Sequence, residues 1–312
     1  MRGLIVCLWM SSICLAQPPV DEFTQQGKPE KDNAVANVTL TGTKVSDIEY
    51  ASIGDHKLLL DLYLPKQPQG SPLVVWIHGG GWYQNSKAKV FISWLSNYGI
   101  TVASINYRLV DVAKWPAQLH DCKGAVRWLR ANSAKYGYNA DRIVVSGASA
   151  GGHLAALMGT TGDVKELEGN VGGNLEQSSR VQAVVDYYGA TDFVLRSQTQ
   201  PSRANKKGSV VYNLLGGGAD KLVDVAKQAS AKYHVTNDDP PFLVFHGEKD
   251  NTVLIDQSEA IVEAYKEVGL PITFHRIAEG KHGGYIFYSG KNAKRLYQFV
   301  KQYTGANQIK NL

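Results

Sequence analysis

The sequence predicts an α/β fold, a mostly parallel, twisted sheet with helices on both faces, and three observations predict it. Short apolar runs of β-branched and aromatic residues recur along the chain, helical stretches separate them, and several runs end in glycine-rich loops. Strand and helix in turn require crossover connections, and a sheet built that way is buried on both faces. The 312 residues, 44% of them hydrophobic, suffice for one such domain with a full core.

Read in order, the first sixteen residues, MRGLIVCLWMSSICLA, place Arg2 before an apolar stretch too short to span a bilayer, with C-L-A before Gln17. This reads as a cleaved signal peptide and predicts a secreted or periplasmic protein without a stable membrane anchor. Residues 17–44 are polar and rich in Gln, Asn, Thr and Lys, as expected of a loose extension. One domain is expected over 45–306, followed by a short tail at 307–312. Its first runs, VSDIEYAS and KLLLDLYLP, pair as an antiparallel edge, and PLVVWIHGGG is a buried strand entering a glycine loop. TVASINY (101–107) precedes a long helix from Pro116 to Tyr136, and IVVSG precedes the helix after Ser149. VQAVVDYYG leads into an insertion from Ala190 to Lys232, where VVYNLLGG and KLVDVAKQAS suit short helices. PFLVFHGEKD is followed by a helix over 254–268, and PITFHRI by a loop and a last helix over 284–303.

Cleavage after residue 16 leaves 32 Lys and Arg against 28 Asp and Glu, a mild net charge of +4. The one basic cluster, RANKK at 203–207, has no interleaved aromatics and reads as a solvated loop, so no nucleic-acid partner is expected. Cleavage also removes Cys7 and Cys14, and Cys122 by itself makes no internal disulfide.

The chemistry is concentrated at strand ends, where ligand sites of such sheets lie. In IVVSGASAGGH, Ser149 sits on a turn between strand and helix, boxed in by Gly147, Ala148, Ala150 and Gly151. Small neighbours let the two elements approach closely, and the turn lifts the serine Oγ above the sheet at a helix N-terminus. A serine nucleophile needs a base, and the chain has eight histidines. His56 and His120 lie far from strand ends, and His78, His153 and His246 suit structural hydrogen bonds. His234 stands in a featureless polar stretch, and His275 alternates within a strand. His282, in the loop EGKHGGY after the last strand, is the expected base. With the serine on a strand-to-helix elbow of this kind the expected chain order is serine, acid, histidine, and Asp250 fits, a short turn after PFLVFHG and ahead of the last helix, strand and histidine loop. Asp186, Asp192 and Asp256 are its rivals, and Asp186 becomes the acid if the earlier strand is used. HGGGW supplies backbone donors for an oxyanion hole, with Gly79, Gly80, Gly81 and Ala150 as candidates. Neither a metal nor another cofactor is expected.

With these residues placed, the chain resembles the α/β-hydrolase superfamily and, within it, the hormone-sensitive-lipase-like esterases marked by HGGGW and GxSxG. DLYLP, NYRL, DRIVVSGASAGGHLA, VVDYYGATD, HGEKD and GKHGG are similar to secreted esterases that remove acetyl or feruloyl groups from plant polysaccharides. The resemblance implies Ser149, Asp250 and His282 as the catalytic set and a small-ester or polysaccharide-ester substrate. A long N-terminal cap of the lipase-like members is missing here, which leaves the insertion to cover the site. Trp82, Tyr83, Tyr188 and Tyr285 lie near the predicted loops as candidates to stack on a sugar or an aromatic acyl group. A general small-ester esterase, an amide or peptide hydrolase and a binding protein on the same scaffold are the alternatives.

Overall fold

In the computed structural model, which describes residues 39–162 and 164–305, the strand-like runs form one eight-stranded sheet. The signal-peptide segment, most of the polar extension and the 307–312 tail lie outside the described residues. In chain order the strands are β1 (Thr43–Ile53), β2 (His56–Leu64), β3 (Leu73–Ile77), β4 (Thr101–Ile105), β5 (Ile143–Ala148), β6 (Ala183–Tyr187), β7 (Phe242–Gly247) and β8 (Ile272–Ile277). Across the sheet they run β1-β2-β4-β3-β5-β6-β7-β8. The pairs β1–β2 and β2–β4 are antiparallel and every other pair is parallel. This is the α/β-hydrolase architecture the motifs predict, with β1 opening two residues before the expected start.

The five central strands β3 to β7 are buried at every position, which explains why they read as unbroken apolar runs and not as alternating ones. Helices α1 (Ala117–Ala131), α2 (Ser133–Tyr136) and α3 (Ala150–Thr160) precede the insertion, which forms α4 (Phe193–Thr199), α5 (Pro201–Ala204), α6 (Val210–Leu215) and α7 (Val223–Gln228). Helices α8 (Asp256–Glu267) and α9 (Gly290–Thr304) complete the chain. Leu119 and Val126 of α1, Leu154 of α3 and Ile261 of α8 fill the core on one face of the sheet. Leu296, Phe299 and Val300 of α9 fill the other, together with Trp94 and Leu95 of a 3-10 turn. Among the described residues no helix is long and apolar enough to cross a membrane.

Two expected helices are interrupted. The stretch 116–136 breaks at Asn132, whose side-chain amide donates to Trp128 O, competing for a carbonyl that would otherwise serve the helix. The last helix is preceded by a 3-10 turn at Tyr285–Phe287, because Gly283 and Gly284 adopt φ of 94° and 106°, outside helical space. The insertion is more ordered than its polarity suggests. Helices α4 and α5 form in its polar first part because Phe193 and Ala204 are buried under it.

Behind the sheet, Lys123 and Arg127 occupy successive turns of α1, both fully buried, and both reach Glu168. Lys123 Nζ lies 2.9 Å from one carboxylate oxygen and also donates to Thr161 O at 2.7 Å, while Arg127 pairs with the other oxygen. Glu168→Gln therefore leaves two buried cations without a counter-charge. Since the Glu168 side chain itself is 34% exposed, a loss at the lower end of the buried-pair range, about 3 kcal/mol, is expected in urea unfolding. A loss under about 1 kcal/mol would mean that the two cations are solvated in the native protein.

Candidate active site

Ser149 joins β5 to α3 with φ 55° and ψ −116°, a region that non-glycine residues rarely enter. The surrounding backbone enforces it. Ser149 N–H donates to Tyr187 O at 2.9 Å, and Ser149 O accepts from His153 N–H at 2.9 Å. The turn closes only because two neighbours lack side chains. A Cβ on Gly147 would stand 2.2 Å from Gly151 O, and one on Gly151 would stand 2.0 Å from Ile77 O. Ala150 is the first residue of α3, so its N–H has no carbonyl within the helix to bond and is free for a ligand.

The structure brings Ser149, His282 and Asp250 together from three separate loops. His282 Nε2 accepts from Ser149 Oγ–H at 2.8 Å, and its Nδ1–H donates to Asp250 Oδ2 at 2.7 Å. Asp250 ends the turn after β7, and its Oδ1 accepts the backbone N–H groups of Thr252 (2.8 Å) and Val253 (3.0 Å). Burial acts to raise the pKa of this carboxyl, but hydrogen bonds from His246 and His282 outweigh it and hold the group well below the usual carboxylate range. It is an anion at neutral pH. His246 Nε2 donates to Val253 O at 2.9 Å and lies 3.3 Å from Asp250 Oδ2, while its Nδ1 meets Ser258 Oγ at 2.7 Å. It braces the acid loop on α8.

Asp186 does not join this group. It is fully buried at the end of β6, where one oxygen accepts from Gly189 N–H at 2.8 Å and the other has no partner among the described residues. Burial pushes its pKa up to about 6. Asp192 caps α4 through Leu195 N–H, and Asp256 lies in the first turn of α8. The remaining histidines are held elsewhere. His78 stacks on Tyr107 at 4.4 Å, His153 bonds Ala229 O, and burial pushes both down to about 4. His56 opens β2, His120 lies within α1, His234 bonds Gln228 O, and His275 packs against Phe245 within β8.

The glycine loop lies directly over the serine. A Cβ on Gly79 would stand 2.7 Å from Ala148 O and 3.3 Å from Ser149 Cβ. Gly80 and Gly81 have φ of 117° and 59°, which turns the loop back across the sheet edge. Gly79, Gly80, Gly81, Ser149, Ala150 and His282 all line one cavity of about 570 Å³. The insertion closes one side of it with Ala190, Arg196, Arg203 and Val210, and the acid loop adds Thr252 and Val253.

The aromatic candidates divide. Tyr83 is half exposed in the cavity wall and is free to stack. Trp82 borders the cavity, but its ring is buried, edge-on to His153 (5.1 Å) and Phe193 (5.8 Å), so it anchors the insertion and offers no open face. Tyr188 also borders the cavity and is buried, with its hydroxyl 2.5 Å from that of Tyr288 and its ring 4.9 Å from that of His282. Its ring packs edge-on against the imidazole. Tyr285 opens a 3-10 turn and is not part of the cavity wall. The sequence reading missed Arg196 and Arg203, which the structure places in that wall. A cation set in the apolar stretch Phe193-Val194-Leu195 was the available signal for Arg196. Arg203 belongs to the RANKK cluster and starts it in a helix, not in a loop.

The BD-FAE family model matches residues 60–265. Esterase LipC of Mycobacterium tuberculosis is 34% identical over 221 residues, 69% of this chain and 53% of its own length. The chain spans about half the length of the curated relatives it matches. Among solved structures, a truncated form of a carbohydrate esterase from gut microbiota is similar with a TM-score of 0.78 and 31% identity, over 85% of this chain and 98% of that one. An acetyl ester-xyloside bifunctional hydrolase from Caldicellulosiruptor lactoaceticus is similar with a TM-score of 0.67 and 25% identity, over 82% and 96%.

Proposed function

The chain belongs to the BD-FAE family, and on that premise we propose that it is a serine carboxylesterase acting on short acyl or hydroxycinnamoyl esters of plant cell-wall polysaccharide. One observation carries the chemistry: the unbroken hydrogen-bond chain from Ser149 through His282 to Asp250, opening under the glycine loop. The reaction is acyl transfer in two halves. Ser149 Oγ attacks the ester carbonyl while His282 Nε2 takes its proton, and Asp250 stabilises the imidazolium. The backbone amides of the glycine loop and of Ala150 receive the developing oxyanion. His282 then protonates the leaving alcohol, water replaces it, and the same proton shuttle releases the acid and restores the serine. We assign Ser149, His282 and Asp250 these roles, with no metal or cofactor in the scheme.

The substrate side of the reading draws on the likeness to a carbohydrate esterase and an acetyl ester-xyloside hydrolase. The polar insertion and the signal-like N-terminal sequence accord with export to a polymeric substrate. Release of acetate from acetylated xylan and ferulate from feruloylated arabinoxylan, measured beside nitrophenyl acetate and nitrophenyl palmitate, tests it. Acetate or ferulate release with negligible palmitate cleavage is the expected result. Preference for palmitate would make the insertion a lipid-binding cover and defeat the polysaccharide reading.

A further inference from the structure

The wall of the cavity carries four cationic side chains, Lys89, Arg196, Arg203 and Lys281, and no carboxylate. A neutral sugar bearing a neutral acyl group can accept hydrogen bonds from such a wall but brings it no counter-charge. Arg196 is the informative member because it is buried, with a relative exposure of only 2%. Its Nη2 donates to Thr252 O at 2.8 Å and its Nε to Gln200 Oε1 at 3.2 Å. Among the described residues it has no ion pair, and Nη1 has no partner. Burial lowers its pKa to about 10 and Arg203 pushes the same way, while Asp250 and Asp256, beyond ion-pair distance, oppose them, so the guanidinium is still charged at neutral pH.

Buried charges are ordinarily paired, because an unpaired one forfeits its hydration without compensation. A structural brace between α4 and the acid loop needs only the two hydrogen bonds that Arg196 already makes. Such a brace leaves Nη1 unused, and Arg203 adds positive charge in the same wall while no Asp or Glu lines the cavity. A planar guanidinium with an unused donor, backed by further positive charge, matches a carboxylate.

We propose that the cavity takes ester substrates that carry a carboxylate, and that Arg196 with Arg203 forms the subsite receiving it. The inference rests on the esterase reading above and narrows its substrate class. The carboxylate can come from a uronic acid on the sugar or from a free carboxyl on the acyl group, and the chemistry of recognition is the same.

Two matched pairs separate these sources in wild-type enzyme: acetylated neutral xylooligosaccharides against acetylated uronate-bearing ones, and nitrophenyl butyrate against the nitrophenyl monoester of succinic acid. The acidic member of one pair is expected to show a kcat/KM about tenfold higher, expressed in KM and shrinking with added salt. The pair that responds identifies the source. Arg203→Ala should drive that ratio toward one. Arg196→Met should do the same, and since this buried residue also braces α4, competitive inhibition of the wild type by free glucuronate or succinate provides a measurement independent of folding. Equal or better turnover of the neutral members in both pairs overturns the proposal while leaving the esterase reading intact. Failure to hydrolyse any ester, nitrophenyl acetate included, brings down the esterase reading and this inference with it.

Discussion

Ser149→Ala is expected to lower kcat/KM on nitrophenyl acetate by about 10⁴- to 10⁶-fold while the fold survives. The size follows from the position of the side chain. Its Oγ is the group that donates to His282 Nε2, so on the proposed mechanism its removal deletes the nucleophile and leaves the imidazole nothing to deprotonate but water. The glycine loop and Ala150 remain in place, and the oxyanion site proposed there is why the loss should stop short of the uncatalysed rate. Stability should barely move, because alanine keeps the Cβ and the φ of 55° is imposed by the Tyr187 and His153 backbone bonds, not by the hydroxyl. A fluorophosphonate probe should label the wild type and not the variant. Full activity of the variant, or labelling that persists in it, would move the nucleophile away from this turn; a folded wild type that neither labels nor hydrolyses would favour a binding protein on the hydrolase scaffold.

Much of this site was legible in the sequence because strand ends impose their own chemistry on the residues they use. The Ser149 turn is tight enough that Gly147 and Gly151 are required by contacts near 2 Å, and such a requirement leaves a mark in the sequence. His282 was reachable by elimination since a flexible glycine-flanked loop after the last strand differs from seven other histidine settings. What did not show was burial within the loops. Trp82 and Tyr188 look the same as Tyr83 when read from sequence, as aromatics beside a site. Only packing against His153 and Phe193 in one case, and against His282 and Tyr288 in the other, turns them inward. Arg196 was hidden for a related reason: helix α4 is a short element held by tertiary contacts, and its orientation, which sets the guanidinium in the cavity wall, is decided by the burial of Phe193 and not by local propensity.

The acid is the sharper case, since Asp250 and Asp186 both end strands and both precede His282 in the chain. Asp250→Asn is expected to cut turnover at neutral pH by about 10³- to 10⁴-fold, and Asp186→Asn to leave it close to normal. In the first variant the amide presents an N–H toward His282 Nδ1. The imidazole then carries its proton on Nε2, where it can no longer accept one from Ser149. Asp186 makes no contact with His282; its bond is to Gly189 N–H, and an amide oxygen can replace it there. Its signature lies in stability. With a folded pKa pushed from 3.8 up to about 6, the native state binds this proton more tightly than the unfolded chain, so the wild type loses stability as pH rises from about 4 to about 6. The amide of the variant has no proton to lose. Relative to wild type, Asp186→Asn should therefore gain stability across that window, on the order of 2–3 kcal/mol, and hold the gain above it, an outcome read by urea unfolding at pH 4 and pH 8. A crippled Asp186→Asn beside an active Asp250→Asn would transfer the acid to the end of β6 and require His282 to swing away from the loop where Thr252 and Val253 now fix its partner.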